Sequence, residues 1–170
     1  MYYQDESRFG IFTRNGKFIT AKGVKPICKF QQIFQSMYLF GAYSPITGDH
    51  FEFEFPECNG ANFQTFLDQF SKENEEEFKI ILLDNGPFHK AKTLIIPKNI
   101  TLVFIPPYGS KLNPSEKVWW EMKCAFTGKL HKTLDEVSGF ITNQVKSLTK
   151  DIVKNICGFE YVFYHLILQI

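Results

Sequence analysis

Alternation of apolar and polar residues dominates the first third of the chain, and this pattern predicts strands. The run FEFEF alternates strictly, as a strand exposed on one face does, and an Asn15–Gly16 pair in another alternating run is a hairpin signal. The predicted segments are a short stub at 1–4 that ends at Asp5, a hairpin at 7–23, and strands at 34–43 and 51–55. Residues 8–55 are therefore predicted to form a meander of antiparallel strands.

A helical period follows this meander. Phe63, Phe66, Leu67 and Phe70 recur at the spacing of one helix face, and a nearby asparagine (Asn59 or Asn62) can cap the helix start. Phe is unusually frequent in this chain, at 19 residues, and these residues lie within apolar runs. The sequence therefore predicts a Phe-packed core rather than an exposed stacking surface.

Two continuous apolar runs, at 79–83 and 101–105, predict strands that are buried on both faces. The first run ends at Asp84, and an Asn85–Gly86 turn then leads into a short helix that Pro97 stops. The second run leads into a rigid Pro-rich loop. Asp84 is therefore predicted to lie at the end of a central strand.

A second carboxylate, Glu116, falls on the first turn of the helix that follows the Pro-rich loop. Asn113 is positioned to cap this helix, which is predicted to run to about Thr127, and a further helix begins at Thr133. The element order is three antiparallel strands, helix, strand, helix, strand and then helices. This order predicts one α/β domain over 1–170, with a mixed five-stranded sheet flanked by helices.

Composition excludes several classes of protein. The length of 170 residues suits one domain with a sizeable core, and each apolar run is interrupted too soon to cross a bilayer. The N-terminus does not resemble a secretory signal, so we expect a cytoplasmic protein. The four cysteines form no Cys-x-x-Cys pair, which argues against zinc and for a reduced intracellular chain.

The charge of the chain is unevenly distributed. The net charge is only +1, but the stretch from Asp84 to Lys132 holds eight lysines and three acids. The stretch just before it is acidic. A basic half that contains Asp84 and Glu116 favours phosphate binding near these acids, although each lysine taken singly is as readily explained as solvated surface.

The acids themselves indicate metal chemistry. An acid on the first strand, one that ends the fourth strand and one on a following helix fit the ribonuclease-H-like arrangement, in which the first and fourth strands are neighbours. Asp5, Asp84 and Glu116 would then meet, and their hard oxygen ligands suit Mg²⁺. Two such ions about 3.5–4 Å apart support in-line displacement at phosphorus.

Four blocks of sequence resemble the DDE transposases of the Tc/mariner superfamily, in particular the bacterial insertion-sequence branch. The blocks are DESRFGIF (5–12), LFGAYSPITG (39–48), LLDNGPFHKAK (82–92) and FIPPYGSKLNPSEKVWWEMK (104–123). The resemblance implies that Asp5, Asp84 and Glu116 bind the metal ions, two Mg²⁺ that Mn²⁺ can replace. It also implies a nucleoid-associated enzyme that cuts DNA at transposon ends by hydrolysis and joins the 3′ ends to target DNA.

Members of this family carry N-terminal helix-turn-helix modules ahead of the catalytic domain. This sequence begins four residues before Asp5, so we expect such a module to be separately encoded or lost. The family also implies a homodimer. The absent module keeps open an alternative, a catalytically incompetent remnant that binds DNA or dimerises, and a ribonuclease of the same fold is a weaker one.

Several further residues are candidates for support around the metal ions or for DNA contacts. They are Asn85, His89, Asn113 and Lys123. His89 can contact phosphate, hydrogen-bond a ligating carboxylate or simply cap its helix. Glu6 should point to the opposite face of its strand from Asp5, so it is left out of the metal site as a surface or outer acid. At least one of Trp119 and Trp120 should pack in the core.

Overall fold

A computed structural model describes residues 1–13, 16, 19–27, 29–106 and 112–159 of the chain. Its centre is one five-stranded sheet with the order β3-β2-β1-β4-β5. The first three strands pair antiparallel, and β1, β4 and β5 pair parallel. The strands are β1 (Tyr2–Gly10), β2 (Ser36–Tyr43), β3 (His50–Phe55), β4 (Lys79–Leu83) and β5 (Ile100–Phe104). The predicted mixed five-stranded sheet is confirmed, and its first and fourth strands are neighbours.

The first strand is much longer than the predicted stub. β1 has nine residues and lies at the centre of the sheet, where it pairs with β2 from Tyr3↔Tyr43 to Gly10↔Ser36. Asp5 is therefore not near a strand end that frays, and it faces Gly41 across the ladder. The polar run QDESR concealed this strand, because its pairing comes from two neighbouring strands and not from an apolar face.

The predicted hairpin at 7–23 is tested only in part. Its tip residue Asn15 lies outside the described residues. The parts of 11–35 that the structure describes contain no strand. The antiparallel neighbour of β1 is therefore β2, which follows a long connection.

A layer of aromatic residues covers one face of the sheet. Helix α1 (Gly60–Lys72) begins at the cap Asn59, whose side chain accepts a hydrogen bond from the backbone N–H of Asn62. The buried face of α1 packs on sheet residues that include Phe40 and Phe55. The residues of that helix face are Phe63, Phe66, Leu67 and Phe70. The predicted helix face and the Phe-packed core are both confirmed.

Three predictions of strand exposure were wrong. Ile80 in β4 is 41% exposed and Val103 in β5 is 39% exposed, so neither strand is buried on both faces, and β5 lies at the edge of the sheet. β3 was expected to expose the face that carries its glutamates. The side chain of Glu52 is only 6% exposed, because His50 and the C-terminal helices lie against that face.

Helices cover the second face of the sheet. They are α2 (Ser115–Phe126), α3 (Leu134–Ser147) and α4 (Lys150–Cys157). Their buried residues enclose a second core with Phe9, Leu39 and Tyr43 of the sheet. Thr133 caps α3 as predicted, and α2 begins two residues beyond Asn113. No helix among the described residues is long and apolar enough to span a membrane.

Candidate active site

Asp5 and Asp84 lie on neighbouring parallel strands. The register of β1 and β4 is Tyr2↔Ile81 and Tyr3↔Leu82, and two more steps bring Asp5 opposite Asp84. Asp84 is the first residue after β4, so it lies where the chain leaves the sheet. In-register residues of parallel neighbours face the same side. Extension of this register sets Asp5 level with Asp84, at the carboxyl end of β4.

Glu116 reaches this place because two polar side chains join the start of α2 to β1. The side-chain amide of Asn113 donates to the carbonyl of Gln4 at 2.9 Å, and the hydroxyl of Ser115 donates to the carbonyl of Tyr3 at 2.9 Å. Asn113 also accepts a hydrogen bond from the backbone N–H of Ser115. All these bonds are buried, so the first turn of α2 is fixed beside Asp5.

The environment of Asp5 disfavours a bare negative charge. Burial is the main cause that raises the pKa of Asp5 to about 7, and the charges of Glu6 and Glu116 add to it. The indole N–H of Trp119 donates a hydrogen bond to Asp5 Oδ2 at 2.9 Å, and this bond lowers the pKa of Asp5. The charged carboxylate is therefore costly here unless a cation lies nearby.

Asp84 is held by a buried histidine. Its Oδ1 accepts hydrogen bonds from the backbone N–H of Gly86 at 2.8 Å and from Nδ1 of His89 at 2.9 Å. Nε2 of His89 lies 2.8 Å from Oε1 of Glu6. Burial alone would lower the pKa of His89, but its bonds and charge interactions with Glu6 and Asp84 raise it overall. His89 lies in a one-turn 3₁₀ helix (Pro87–Lys90), shorter than the predicted helix.

Glu6 agrees with its prediction in one respect and differs in another. It lies on the α1 side of β1, opposite to Asp5, as predicted. Its side chain is only 10% exposed, however, so it is not a surface acid, and it reaches Asp84 through His89. Sequence alternation gave the face of the strand, but it could not show that a residue distant in sequence fills the space beside it.

The other two candidates have different surroundings. Asn85 donates to the carbonyl of Ile105 and accepts from Lys90, so it joins the ends of β4 and β5. Lys123 lies two helical turns beyond Glu116. It lines a cavity of about 390 Å³ together with Arg8.

The described residues contain no ready-made metal cage. Among them, no three His, Cys, Asp or Glu side chains are grouped closely enough to hold an ion by themselves. Asp84 and Glu116 are exposed, while Asp5 is half-buried. Two of the three acids are therefore open to solvent.

Comparison with known proteins identifies the family. Residues 1–138 match the family model described as "DDE superfamily endonuclease". This chain belongs to the DDE superfamily of endonucleases. It is also 30% identical over 102 residues to the uncharacterized protein y4pE/y4sA of Sinorhizobium fredii (strain NBRC 101917 / NGR234). The matched segment covers 59% of this chain and 76% of that protein.

Solved structures of the Mos1 transposase share the fold of this DDE endonuclease. The Mos1 strand transfer complex matches with a TM-score of 0.72 and 15% identity, and the paired-end complex with Mn with 0.71 and 15%. Each match covers 92% of this chain. The chain spans about half the length of these Mos1 chains, 50% and 51% respectively. The ribonuclease-H-like fold predicted from the sequence is confirmed.

Three residues make contacts near the acids that were not predicted from the sequence. At least one of Trp119 and Trp120 was expected in the core, and Trp119 is 3% exposed, but its hydrogen bond to Asp5 was not predicted. Ser115 was not considered, although it borders Glu116. Gly41 faces Asp5, and the ring of Trp119 lies over it, since an added Cβ would come within 2.8 Å of that ring. Only the helical spacing of Trp119 from Glu116 gave any signal for these contacts.

Proposed function

We propose that this chain is the catalytic domain of a Tc/mariner-type transposase. It cuts DNA at transposon ends by hydrolysis and joins the 3′-hydroxyls to target DNA. The observation that supports the proposal is the parallel pairing of β1 with β4, Tyr2↔Ile81 and Tyr3↔Leu82, together with the hydrogen bonds of Asn113 and Ser115 that join the start of α2 to β1. Membership of the DDE endonuclease superfamily supports it.

The three carboxylates fit divalent cations. Mg²⁺ keeps several waters and is bound by one or two carboxylates together with substrate phosphates, so an open site of oxygen donors suits it better than a closed cage would. Burial, together with the charges of Glu6 and Glu116, raises the pKa of Asp5, and a cation beside it would favour its charged form. Asp5, Asp84 and Glu116 would hold two Mg²⁺ ions, for which Mn²⁺ substitutes. Mos1 has been solved in complexes with Mn and with Mg.

When bound, such ions activate a water or a 3′-hydroxyl and stabilise the leaving oxygen at phosphorus. The chain itself supplies the placement of the acids. Asn113 and Ser115 set the position of Glu116, and Trp119 orients Asp5. The lysines that follow Asp84 in sequence would neutralise DNA phosphates.

The partners of this domain follow from the same proposal. Its substrates are transposon-end DNA and target DNA, as in the Mos1 complexes with a transposon end. The enzyme acts as a homodimer. A helix-turn-helix region supplies recognition of the ends.

Nicking of supercoiled plasmid in Mg²⁺ or Mn²⁺ tests the proposal. Wild type should nick, while Asp84→Ala and Glu116→Gln should be inactive. Asp68→Asn is the matched control, because Asp68 is an exposed acid whose described hydrogen bond is to Gln64 on the same helix. Equal nicking by wild type and Asp84→Ala would show that the activity does not come from this site. Cleavage of an RNA–DNA hybrid but not of plasmid would favour a ribonuclease.

A further inference from the structure

A buried imidazole bridges two carboxylates, Glu6 on β1 and Asp84 just after the end of β4. Nδ1 of His89 is 2.9 Å from Asp84 Oδ1, and Nε2 is 2.8 Å from Glu6 Oε1. The side chain of His89 is 1% exposed, that of Glu6 is 10% exposed, and that of Asp84 is 54% exposed. The contacts thus lead from the interior of the protein to one open acid of the site.

The position of the imidazole is fixed by packing. Its ring centroid lies 4.6 Å from that of Phe63 and 4.1 Å from that of Phe88. Glu6 is itself held by the side-chain amide of Gln4, which donates to Oε1 at 2.7 Å. A Cβ at Gly86 would come within 3.1 Å of both Asp84 Oδ1 and His89 Nδ1, so the chain leaves just enough room for this hydrogen bond.

Both described hydrogen bonds to the Asp84 side chain end on Oδ1, from Gly86 and from His89. Neither of them occupies Oδ2. We infer that Glu6 and His89 are positioning residues, which fix the carboxylate of Asp84 so that Oδ2 is presented to the divalent cation. Outer partners of this kind typically change metal affinity about 10–100-fold when they are lost. The inference rests on the proposed function, because it takes Asp84 as a metal ligand.

Two amide substitutions separate positioning from packing. The amide nitrogen of Asn falls near the place of Nδ1, so His89→Asn keeps a donor toward Asp84. The amide nitrogen of Gln falls near the place of Nε2, so His89→Gln keeps only the contact toward Glu6. We expect His89→Gln to weaken Mn²⁺ binding about 10–100-fold, and His89→Asn to weaken it several-fold less. A residue that acts through packing alone would not distinguish these two amides in this order.

A double-mutant cycle tests the part played by Glu6. Glu6→Ala should weaken Mn²⁺ binding in the wild-type chain. It should have a clearly smaller effect when combined with His89→Ala, because part of its effect passes through the imidazole and the rest is the charge of Glu6 beside Asp5. Fully additive losses from Glu6→Ala and His89→Ala would show that Glu6 does not act through the imidazole and would overturn this part of the inference.

The measurement is the dissociation constant for Mn²⁺ alone, by calorimetry or electron paramagnetic resonance on protein whose folding has been checked by circular dichroism. His50→Gln is the matched control, because His50 also contacts a glutamate, Glu52 at 3.0 Å, but lies outside the site. The Mn²⁺ affinity of this variant should equal that of wild type. If Asp84→Ala weakens binding but His89→Gln does not, the inference is wrong while the metal site stands. If Asp84→Ala binds Mn²⁺ as wild type does, both fail.

Discussion

The indole N–H of Trp119 donates a hydrogen bond to Oδ2 of Asp5 at a distance of 2.9 Å. This contact joins the helix that carries Glu116 to the strand that carries Asp5. The same indole packs edge-on against Tyr43, with ring centroids 5.5 Å apart. One buried side chain therefore links the second core of the protein to the carboxylates of its proposed metal site.

Trp119→Phe should reduce nicking activity about ten-fold or more. The substitution keeps an aromatic ring in the core but removes the donor to Asp5, and a hydrogen bond to a charged group contributes about 1.5–3 kcal/mol. About 1.4 kcal/mol corresponds to a ten-fold change in rate. Plasmid nicking and Mn²⁺ affinity measure the effect. Trp120→Phe is the control for stability and Mn²⁺ affinity, because Trp120 is 61% exposed, and an equal Mn²⁺ defect there would refute the assigned contact.

Gly41→Ala should destabilise the protein by about 1–3 kcal/mol through overpacking. An added Cβ would lie 2.6 Å from the hydroxyl of Tyr43 and 2.8 Å from the ring of Trp119, both of which are buried. Urea unfolding measures the loss, and tryptophan fluorescence reports displacement of the indole. Gly139→Ala is the contrasting variant, since a Cβ there meets nothing within 4 Å. It lies within α3 and should gain about 0.5–1 kcal/mol; equal losses in both variants would contradict the prediction.

Asn113→Ala should cost about 1–3 kcal/mol of folding stability, because it leaves the buried carbonyl of Gln4 without its donor. Nicking activity should fall by more than the loss of folded protein accounts for, since the start of α2 carries Glu116. Urea unfolding and plasmid nicking in parallel separate these two effects. The comparison is Asn62→Ala, whose side-chain amide also donates to a backbone carbonyl, that of Glu57, but at an exposed position. A neutral result for Asn113→Ala would mean that this tether does not hold the helix.

Stability should fall as the pH rises through and above neutrality. The hydrogen bond with Glu52 is the largest cause that raises the pKa of His50 above 6.5, against an opposing effect of burial, and the carbonyl of Leu148 also raises it. A raised histidine pKa stabilises the fold below pH 6.5 and loses that contribution as the pH passes the folded-state pKa. Melting temperatures from about pH 6 to about pH 9 test this. His50→Gln should flatten the dependence, and an unchanged slope would exclude His50 as its source.

The sequence predicted the order of the sheet because that order depends on local patterns. The apolar run of 79–83 and the spaced aromatics of α1 each bury one predictable surface. The expectation that the first and fourth strands are neighbours came from the fit of this element order to the ribonuclease-H-like arrangement, and it is correct.

The failures of sequence reasoning have a common physical cause. β1 was predicted as a stub because QDESR has no apolar face, yet Asp5 and Glu6 find partners far away in sequence. Gln4 and Glu6 bond to each other, Glu6 contacts His89, and Asp5 accepts from Trp119. Likewise, Val103 in β5 proved more exposed than its apolar run predicted, because edge position is a property of the whole sheet.

The sequence by itself determined the type of fold and singled out Asp5, Asp84 and Glu116 as candidate metal ligands, since residue type and spacing carry that information. Only the tertiary structure decided what surrounds them. The hydrogen bonds of Trp119, Asn113 and Ser115 to β1 join residues more than 100 positions apart in the chain. The contact of Glu6 with His89, which in turn bonds to Asp84, spans 83 positions. Such contacts depend on packing geometry between distant segments, which no local pattern encodes.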